Sequence, residues 1–581
     1  MRKILFTLTA IGLAACQAEA PPAEVPAETP TAAEVVNDIA DRYYDWRLST
    51  SPEFAYFAAI ELDRHDGMHD NSPAALAVAR AMEDRLLAEI SAVDGSILVG
   101  TPEWIAYALL EQQLRSLVAR RICEHELWDV NQMGGWHLGF SQIATLQPVE
   151  TPELREQALT RWANLPQFAD QAVENLKSGI EQGYSAPKTV VERVLAQLGG
   201  LLALSTEDSP FYSPATRADD AEFAAALREI VEQGIQPALQ RYSDYLRNDY
   251  LPAAREELSI TANPNGAECY AASLLGYTTL NRSGKDVYEL GQATVAANKA
   301  GVIELGMAAY ETSDFSEILE RAKNDPADTF ESADELLQFS KDMVARAAVE
   351  MPNWVGTMPE QSVEVVPFEK HEEGTGRSAH YNRGNADRPA EYRIPLATPE
   401  EEGRGNAEAT AFHEAWPGHH LQVATFQAVE GLHPVTEIIW FSGPGEGWAR
   451  YSEALSEEMG LYESTSGPIL RRAWPARGMV VDPGIHLFGW TREQAKEYML
   501  ESGRFPVSSG DEMVDRIAIL PGQLTAYDSG GLEILALRRQ AEEALGDDFD
   551  IREFHDRVLE NGTIPLGSLR QHIEAWIESK L

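Results

Sequence analysis

Residues 413–420 read HEAWPGHH, so three histidines and a glutamate that could bind a metal and activate water fall within eight positions. In the helix of a typical zinc peptidase the two histidine ligands are four residues apart, and both imidazoles reach the metal from one helix face. Here a proline and a glycine interrupt that spacing. On an unbroken helix His419 would be rotated by about 240° from His413 and displaced by about 9 Å, whereas His420 would return to the same face about 10.5 Å away.

The interruption itself favours a distorted helix. Pro417 lacks an N–H and clashes with the carbonyl four residues earlier, and Gly418 tolerates unusual dihedral angles. A kink or bulge at this point could turn one of the later histidines toward His413. The spacing leaves open whether His419 or His420 would be the second ligand. The alternative is a chance cluster, because a His-Glu pair in a helix usually lies on a solvated face.

A third ligand is available downstream. Glu446 opens the amphipathic stretch FSGPGEGWARYSEALSEE, 33 residues after His413. Two histidines on one helix with a glutamate from a following helix form the ligand set of the glutamate-zincins, which leaves a coordination position open for water. Glu414, next to a ligand in the sequence, would then be the general base.

Most of the chain has the pattern of amphipathic helices. From about residue 34 onward, apolar residues recur every three or four positions, most clearly in 75–92, 153–180, 219–248 and 287–311. The segment 351–400 differs, because EVVPFE, SAHYN and AEYRIPL are typical of short strands. The metal-site helices are predicted at about 404–460. The sequence therefore predicts a mainly α domain over residues 34–581 with a small β insert, whose edge could bind a substrate backbone.

Composition excludes some classes of partner. The chain has 581 residues, is 44% hydrophobic and carries a formal net charge of −45. The hydrophobic fraction is typical of a soluble globular protein, whereas the net charge is extreme. So acidic a chain should repel nucleic acid and anionic lipid. We expect no nucleic-acid partner.

The N-terminus has the features of a bacterial lipoprotein signal. A short basic start and an apolar stretch end in LAAC, so residues 1–15 are predicted to be a signal peptide and Cys16 the lipidated residue. The alternative is an ordinary signal peptide with an unrelated cysteine. Residues 16–33, rich in Pro, Ala and Glu, are predicted to be a flexible tether. Gln17 after the cysteine favours the periplasmic side of the outer membrane. Cys123 and Cys269 could form a disulfide, but their spacing does not decide it.

Four motifs resemble one family. HEAWPGHHLQ, GEGWARYSEAL, RRAWPARGMVVDPGIHLFGWTREQA and PGQLTAYDSGGLEILALRR lie in that order within roughly residues 410–575. Together they resemble the bacterial family labelled domain of unknown function 885, whose members are often lipoproteins and are regarded as relatives of zinc-dependent peptidases. More distantly, the helical pattern and the ligand order resemble thimet-type oligopeptidases and Taq-type carboxypeptidases. That likeness implies a large zincin-like fold with a substrate groove.

The resemblance implies a set of roles. His413, His419 and Glu446 would bind the metal, and Glu414 would be the general base. For the second histidine, the family pattern stresses the position directly after Pro-Gly, which is His419. His420 would then orient a ligand or contact substrate.

Four further residues have more than one interpretation. Asp482 and His486 are four residues apart and could share a helix face. Either residue could orient a metal ligand or contact substrate, and His486 is predicted to be catalytic. The alternative is that the two residues form a buried hydrogen-bonded pair. Tyr527 could donate to the oxyanion formed during hydrolysis, or could be a core tyrosine. Arg477 could bind a substrate carboxylate, or could form a structural ion pair.

These observations predict a peptidase that binds a single zinc ion, or another divalent metal, and hydrolyses peptides with an activated water molecule. A second hypothesis is a lipid-anchored peptide-binding protein without turnover. A third keeps the zinc but assigns a non-peptide amide or an ester as substrate. The sequence gives no prediction of oligomeric state, of endo- or exopeptidase action, or of side-chain preference.

Overall fold

Helices account for most of the residues that the computed structural model describes, which are 30–58, 60–368, 378–385 and 388–581. The predicted signal peptide, Cys16 and all but the last residues of the predicted tether lie outside these ranges. The first helix begins at Ala32, slightly before the predicted domain start. It begins there because the side chain of Thr31 accepts from the backbone of Glu34 while the Glu34 carboxylate accepts from the backbone of Thr31.

In the described residues the helices follow one another with turns or loops between them, except where the small sheet intervenes. Those before residue 280 are α1 (Ala32–Thr50), α2 (Phe54–Phe57), α3 (Pro73–Ile90), α4 (Pro102–Arg120), α5 (Trp136–Leu146), α6 (Pro152–Gln182), α7 (Lys188–Ala203), α8 (Ser213–Arg217), α9 (Ala221–Glu229), α10 (Gln236–Tyr245), α11 (Leu251–Ala253) and α12 (Gly266–Thr278). Those after it are α13 (Gly284–Tyr310), α14 (Phe315–Lys323), α15 (Ala333–Glu350), α16 (Arg404–Glu414), α17 (His419–Gln427), α18 (Ser442–Glu458), α19 (Ser466–Ala473), α20 (Arg477–Leu487), α21 (Arg492–Leu500), α22 (Gly510–Ile519), α23 (Ala526–Leu545), α24 (Ile551–Leu559) and α25 (Leu566–Lys580). The predicted mainly α architecture is confirmed.

The stretch predicted to be helical at 219–248 is divided. π-helical turns at Ile230–Ile235 and Leu246–Tyr250 separate α9, α10 and α11. Each turn is followed closely by a proline, Pro237 or Pro252, whose missing N–H removes a regular helical hydrogen bond. The other three predicted stretches correspond to α3, α6 and α13.

A small sheet lies between α15 and α16 in the chain. Its strands are β1 (Val363–Pro367), β2 (His380–Asn382) and β3 (Ala390–Ile394), in the order β1-β3-β2. β3 pairs parallel with β1 and antiparallel with β2, so β2 is an edge strand. The predicted β insert is therefore present, with its central strand buried at alternate residues.

Two large apolar cores hold the helices together. One joins the N-terminal helices α1, α3 and α4 to α15–α18 and α23–α25, and includes Leu110, Phe412 and Trp448. The other is built from α5–α12 and includes Trp162 and Tyr250. Burial of each such large side chain stabilises the fold by about 1.5–3 kcal/mol, so both cores are substantial.

Cys123 and Cys269 form a disulfide, with their Cα atoms 4.8 Å apart. The bond joins the turn after α4 to α12, at the edge of the second core. It answers the question that cysteine spacing left open. None of the helices in the described ranges combines the length and apolar composition needed to span a membrane.

Candidate metal centre

A break between α16 and α17 changes the direction of the histidine motif. Residues 415–418 are not helical, and the Trp416–Pro417 peptide bond within them is cis. Gly418 passes so close to α16 that a Cβ atom would lie 1.9 Å from the carbonyl oxygen of His413. α17 then begins at His419. The predicted distortion is therefore a complete interruption of the helix, and only glycine fits at its last position.

The break brings together His413, His419 and Glu446. The Nε2 atoms of both histidines lie 3.4 Å from Oε2 of Glu446, which is in the second turn of α18. The two imidazole rings are nearly perpendicular, at 89°, with centroids 5.0 Å apart. One nitrogen or oxygen from each residue lies within 4.8 Å of the others. The predicted ligand set is thus assembled from three different helices.

This arrangement has the chemistry and spacing of a zinc site. In a tetrahedral site with metal–ligand bonds of ~2.1 Å, neighbouring ligand atoms lie about 3.4 Å apart. The two measured imidazole-to-carboxylate distances equal that value. Two imidazoles and a carboxylate also suit a catalytic zinc site, which keeps a further position for water. The residues therefore fit a bound zinc ion.

The carboxylates around His413 favour a positive charge on its imidazole. Burial alone would lower the pKa of His413, but hydrogen bonds with Glu446 and Glu453 outweigh it and raise the pKa to about 9. Burial would raise the pKa of Glu446, yet its hydrogen bonds with His413 and His419 hold it well below the usual range. The carboxylate is therefore ionised at neutral pH, as a metal ligand must be.

Glu414 lies beside the cluster and faces the sheet. Its carboxylate accepts a hydrogen bond from the backbone N–H of Tyr381 in β2, at 2.9 Å. Burial raises the pKa of Glu414, although the positive fields of His413 and His419 oppose the shift. A half-buried carboxylate with a raised pKa next to two imidazoles has the properties of a general base.

Glu453 completes the support of His413 and was not predicted. The Nδ1–H of His413 donates to Oε1 of Glu453 at 2.9 Å, which directs Nε2 toward Glu446. Arg450 donates to both oxygens of Glu453, at 2.7 and 2.8 Å. Burial would raise the pKa of Glu453, but Arg450 and His413 lower it to about 2. Since Glu453 is two helical turns after Glu446, helix periodicity could have identified it.

Close packing of α18 against α23 sets the position of Glu446. A Cβ atom on Gly447 would lie 2.5 Å from the Cα of Gly530, and one on Gly530 would lie 1.9 Å from the carbonyl oxygen of Gly443. The backbones of the two helices therefore touch, as small residues allow. This contact also brings α23, with Tyr527 near its start, next to the cluster.

Tyr527 lies against His413. Its ring is nearly parallel to that of His413, with the centroids 6.2 Å apart. Arg516 donates to the Tyr527 hydroxyl at 3.1 Å and to Oε1 of Gln523 at 2.7 Å. Burial and the charge of Glu446 raise the pKa of Tyr527, while Arg516 opposes the shift. Tyr527 is thus a neutral phenol beside the cluster, and the sequence did not identify Arg516 as its partner.

His420 points away from the cluster. Its Nε2–H donates to the backbone carbonyl of Gln361 at 3.0 Å, and its Nδ1 accepts from the hydroxyl of Tyr381 at 3.3 Å. Burial lowers its pKa to about 4. Of the two histidines between which helix geometry could not decide, His419 is the one beside His413 and Glu446, and His420 joins α17 to the sheet.

Asp482 and Arg477 have structural partners. The Asp482 carboxylate accepts from the hydroxyl of Tyr270 at 2.7 Å and from the N–H of Gly522 at 3.0 Å, and burial raises its pKa to about 7. Arg477 is fully buried and forms an ion pair with Glu501 at 2.8 Å. Of the two interpretations of Arg477, the structure favours the ion pair.

His486 also bonds to backbone groups away from the cluster. Its Nε2–H donates to the carbonyl of Ile517 at 3.0 Å, and its Nδ1 accepts from the N–H of Ile260 at 3.1 Å. Burial lowers its pKa to about 3. With both ring nitrogens engaged, His486 is held as a neutral side chain that joins α20 to its neighbours. These contacts favour a structural role over the predicted catalytic one.

Two solved structures are similar to the chain. A candidate lipoprotein from Colwellia psychrerythraea has a TM-score of 0.86 and 23% sequence identity, over 95% of this chain and 100% of that one. A candidate lipoprotein of unknown function from Shewanella oneidensis has a TM-score of 0.75 and 19% identity, over 94% of this chain and 99% of that one. At these identities the likeness shows a shared fold.

A search of curated proteins gave no match. A family model, however, matches nearly the whole of the helical domain, over residues 52–573. The match extends through all four motifs quoted above and includes the cluster of His413, His419 and Glu446. The chain therefore belongs to the family described as bacterial protein of unknown function (DUF885).

Proposed function

We propose that this protein is a zinc-dependent peptidase that hydrolyses peptides. The observation that carries the proposal is the position of His413 and His419, each with Nε2 3.4 Å from the same oxygen of Glu446, next to the half-buried carboxylate of Glu414. The mainly helical fold and the order His, His, Glu along the chain agree with a zincin-like fold of the thimet or Taq type. We therefore propose a distant structural relationship to the thimet-type and Taq-type peptidases.

In the proposed reaction Glu414 moves the proton. A bound zinc ion would supply a Lewis acid that acidifies a water molecule and polarises the scissile carbonyl. Glu414 accepts the proton of the attacking water and passes it to the leaving amine. Its hydrogen bond from the Tyr381 N–H fixes the carboxylate, and burial raises its pKa above the ordinary value of a glutamate.

Tyr527 is the proposed donor to the developing oxyanion. Because its hydroxyl oxygen accepts from Arg516, the tyrosine's own O–H is free to donate to another acceptor. The contact with the ring of His413 holds the phenol beside the cluster. A fixed donor of this kind stabilises charge that is present only in the transition state.

The edge strand β2 offers a place for the substrate backbone. Tyr381 directs its N–H to Glu414 rather than to β3, so the groups on this edge face the cluster. Successive residues of a strand point their backbone groups in opposite directions, which leaves the carbonyl of Tyr381 on the same side as its N–H. We propose that an extended peptide lies along this edge.

Lipid anchoring at Cys16, on the periplasmic side of the outer membrane, is part of the same proposal. It is supported by the LAAC motif, by Gln17 and by the candidate-lipoprotein titles of the two structural neighbours.

The test is hydrolysis of a quenched-fluorescent peptide library by zinc-loaded protein and by Glu414→Gln. We expect the substitution to lower kcat by about 10³-fold or more while zinc stays bound, because the ligands are unchanged and the base is lost. Glu430→Gln is the matched control, since Glu430 is exposed in the loop after α17, and it should retain full activity.

Two results would contradict the proposal. Full activity of zinc-bound Glu414→Gln would remove Glu414 from the mechanism. Zinc-loaded wild type that binds library peptides without cleaving any of them would replace the peptidase with a peptide-binding protein.

A further inference from the structure

A cavity lies apart from the metal cluster, by which we mean His413, His419 and Glu446. It has a volume of about 410 Å³ and is bounded by the segment before α3, the segment after α4, α12 and the loop after α22. This volume is within the range of about 300–1,000 Å³ that is typical of small-molecule sites. Its wall combines charged groups with the half-buried apolar side chains of Leu76 and Leu520.

Arg120 in this wall lacks an acidic partner. Among the described residues no carboxylate lies within 4.0 Å of it, although the chain has 92 acidic and 47 basic residues. The nearby Glu124 and Glu126 are both held by Arg80, at 2.7 and 2.6 Å. The contact of Arg120 with His125 is long, at 3.5 Å, and burial lowers the His125 pKa to about 3, so that imidazole is neutral.

The Arg120 guanidinium is held in place without being satisfied. Its Cζ lies 5.2 Å from the centre of the Tyr277 ring. A Cβ atom on Gly276 would lie 3.0 Å from Cδ of Arg120, so the arginine stem packs directly on α12. Its Nε is buried and has no hydrogen-bond partner. A fixed guanidinium with unused N–H groups is suited to bind a carboxylate in a two-point contact.

The same wall contains an acid without a cationic partner. In the part of the chain that the structure covers, no basic group lies within 4.0 Å of Asp129, including Arg120. Asp129 is exposed at the cavity wall, so its carboxylate is accessible to a cationic group of a ligand.

We propose that this cavity binds a small zwitterion, an α-amino acid or dipeptide with an apolar side chain. Its carboxylate would contact Arg120, its ammonium group would contact Asp129, and its side chain would pack on Leu76 and Leu520. Arg120 and Asp129 both line this one cavity, so a single ligand inside it would meet both groups. The inference goes beyond the proposed function, because it requires neither a metal nor turnover.

Calorimetric titration of the purified protein with L-phenylalanine, its amide and its N-acetyl derivative tests the charge pattern. We expect L-phenylalanine to bind at least about tenfold more tightly than either analogue, because each analogue lacks one charge-assisted contact. Phenylalanyl-phenylalanine, titrated in Glu414→Gln to prevent hydrolysis, separates the two ligand sources, and tighter binding of the dipeptide would assign the site to short peptides.

Two variants locate the contacts. Arg120→Gln should abolish the preference for L-phenylalanine over its amide, and Asp129→Asn should abolish the preference over the N-acetyl derivative. Asp129 is exposed, so its substitution leaves the fold intact. The matched controls Arg247→Gln and Asp219→Asn, at exposed positions outside the cavity, should bind as the wild type does.

Three results would overturn the inference. These are no binding of the amino acid or the dipeptide at millimolar concentration, unchanged preferences in both variants, and binding that is lost in Glu446→Ala but kept in Arg120→Gln. The last would assign the ligand to the metal cluster. Because these titrations need no catalysis, their failure is distinct from failure of the peptidase proposal.

Discussion

At the scale of single residues, the two ring nitrogens of His413 have different partners. Nε2 faces Glu446 in the cluster, and Nδ1–H donates to Glu453, which Arg450 holds with two hydrogen bonds. A carboxylate behind a ligand histidine fixes the tautomer and the ring orientation, and makes the imidazole a better ligand. The network around Glu453 thus fixes the ring of His413 in the orientation that the proposed metal site requires.

The first prediction concerns this support. Glu453→Gln should weaken zinc binding by about 10–100-fold, because the charge behind the imidazole is lost while the shape of the side chain is kept. A competition titration against a chromophoric chelator measures the affinity. Glu458→Gln on the same helix is the control, since Glu458 pairs with Arg538. Unchanged affinity in Glu453→Gln, or an equal loss in the control, would contradict the prediction.

At the scale of elements, the interruption between α16 and α17 builds the site. A continuous helix would carry His419 to another face, whereas the break at residues 415–418 returns it to His413. The glycine contact between α18 and α23 sets Glu446 and Tyr527 beside the same point. The centre therefore depends on two close backbone approaches.

The prediction at this scale is that Gly418→Ala removes zinc from the site. The added Cβ would meet the carbonyl oxygen of His413 at 1.9 Å, so the break must change shape and His419 must move. Elemental analysis of the purified variant measures the loss. Gly139→Ala in α5 is the control, because a Cβ there meets nothing within 4 Å and should leave the zinc content unchanged. Wild-type zinc content in Gly418→Ala would contradict this account.

Helix periodicity and residue type predicted much of the molecule. They located three of the helical stretches, the β insert and the partners His413 and Glu446. They could not choose between His419 and His420, because that choice depends on the path of residues 415–418. The two π-helical turns in 219–248 were also missed, because apolar spacing does not register the hydrogen bonds that a proline removes.

Most contacts between residues far apart in the sequence could not be predicted from the sequence. Arg516 lies beside Tyr527, and the N–H of Tyr381 bonds to Glu414, only because separate elements meet in space. No local sequence pattern predicts these contacts. Glu453 is the exception, since its spacing from Glu446 along α18 carries the signal.

At the scale of the whole molecule, the Cys123–Cys269 disulfide links parts of the chain separated by 146 residues. In the chain-entropy account, a cross-link of this length restricts the unfolded chain and stabilises the folded one by about 2–5 kcal/mol. It lies at the edge of the core formed by α5–α12 and outside the metal cluster. We therefore expect it to act on stability rather than on the chemistry.

The prediction is that replacing both cysteines by serine lowers the free energy of unfolding by about 2–5 kcal/mol and leaves zinc content unchanged. Urea denaturation followed by circular dichroism measures the stability. Reductant serves as the control, because it should destabilise the wild type to a similar extent and have no effect on the double variant. A double variant as stable as oxidised wild type would show that the disulfide contributes nothing.

The zinc content of the purified protein tests the central claim most directly. We predict about one zinc per chain in the wild type, and nearly none in His419→Ala and Glu446→Ala. His420→Ala should keep its zinc, because in the wild type His420 bonds to Tyr381 of the sheet and not to the cluster. Wild-type protein that holds no zinc after reconstitution, or zinc that persists in Glu446→Ala, would contradict the assignment of His413, His419 and Glu446 as a metal centre.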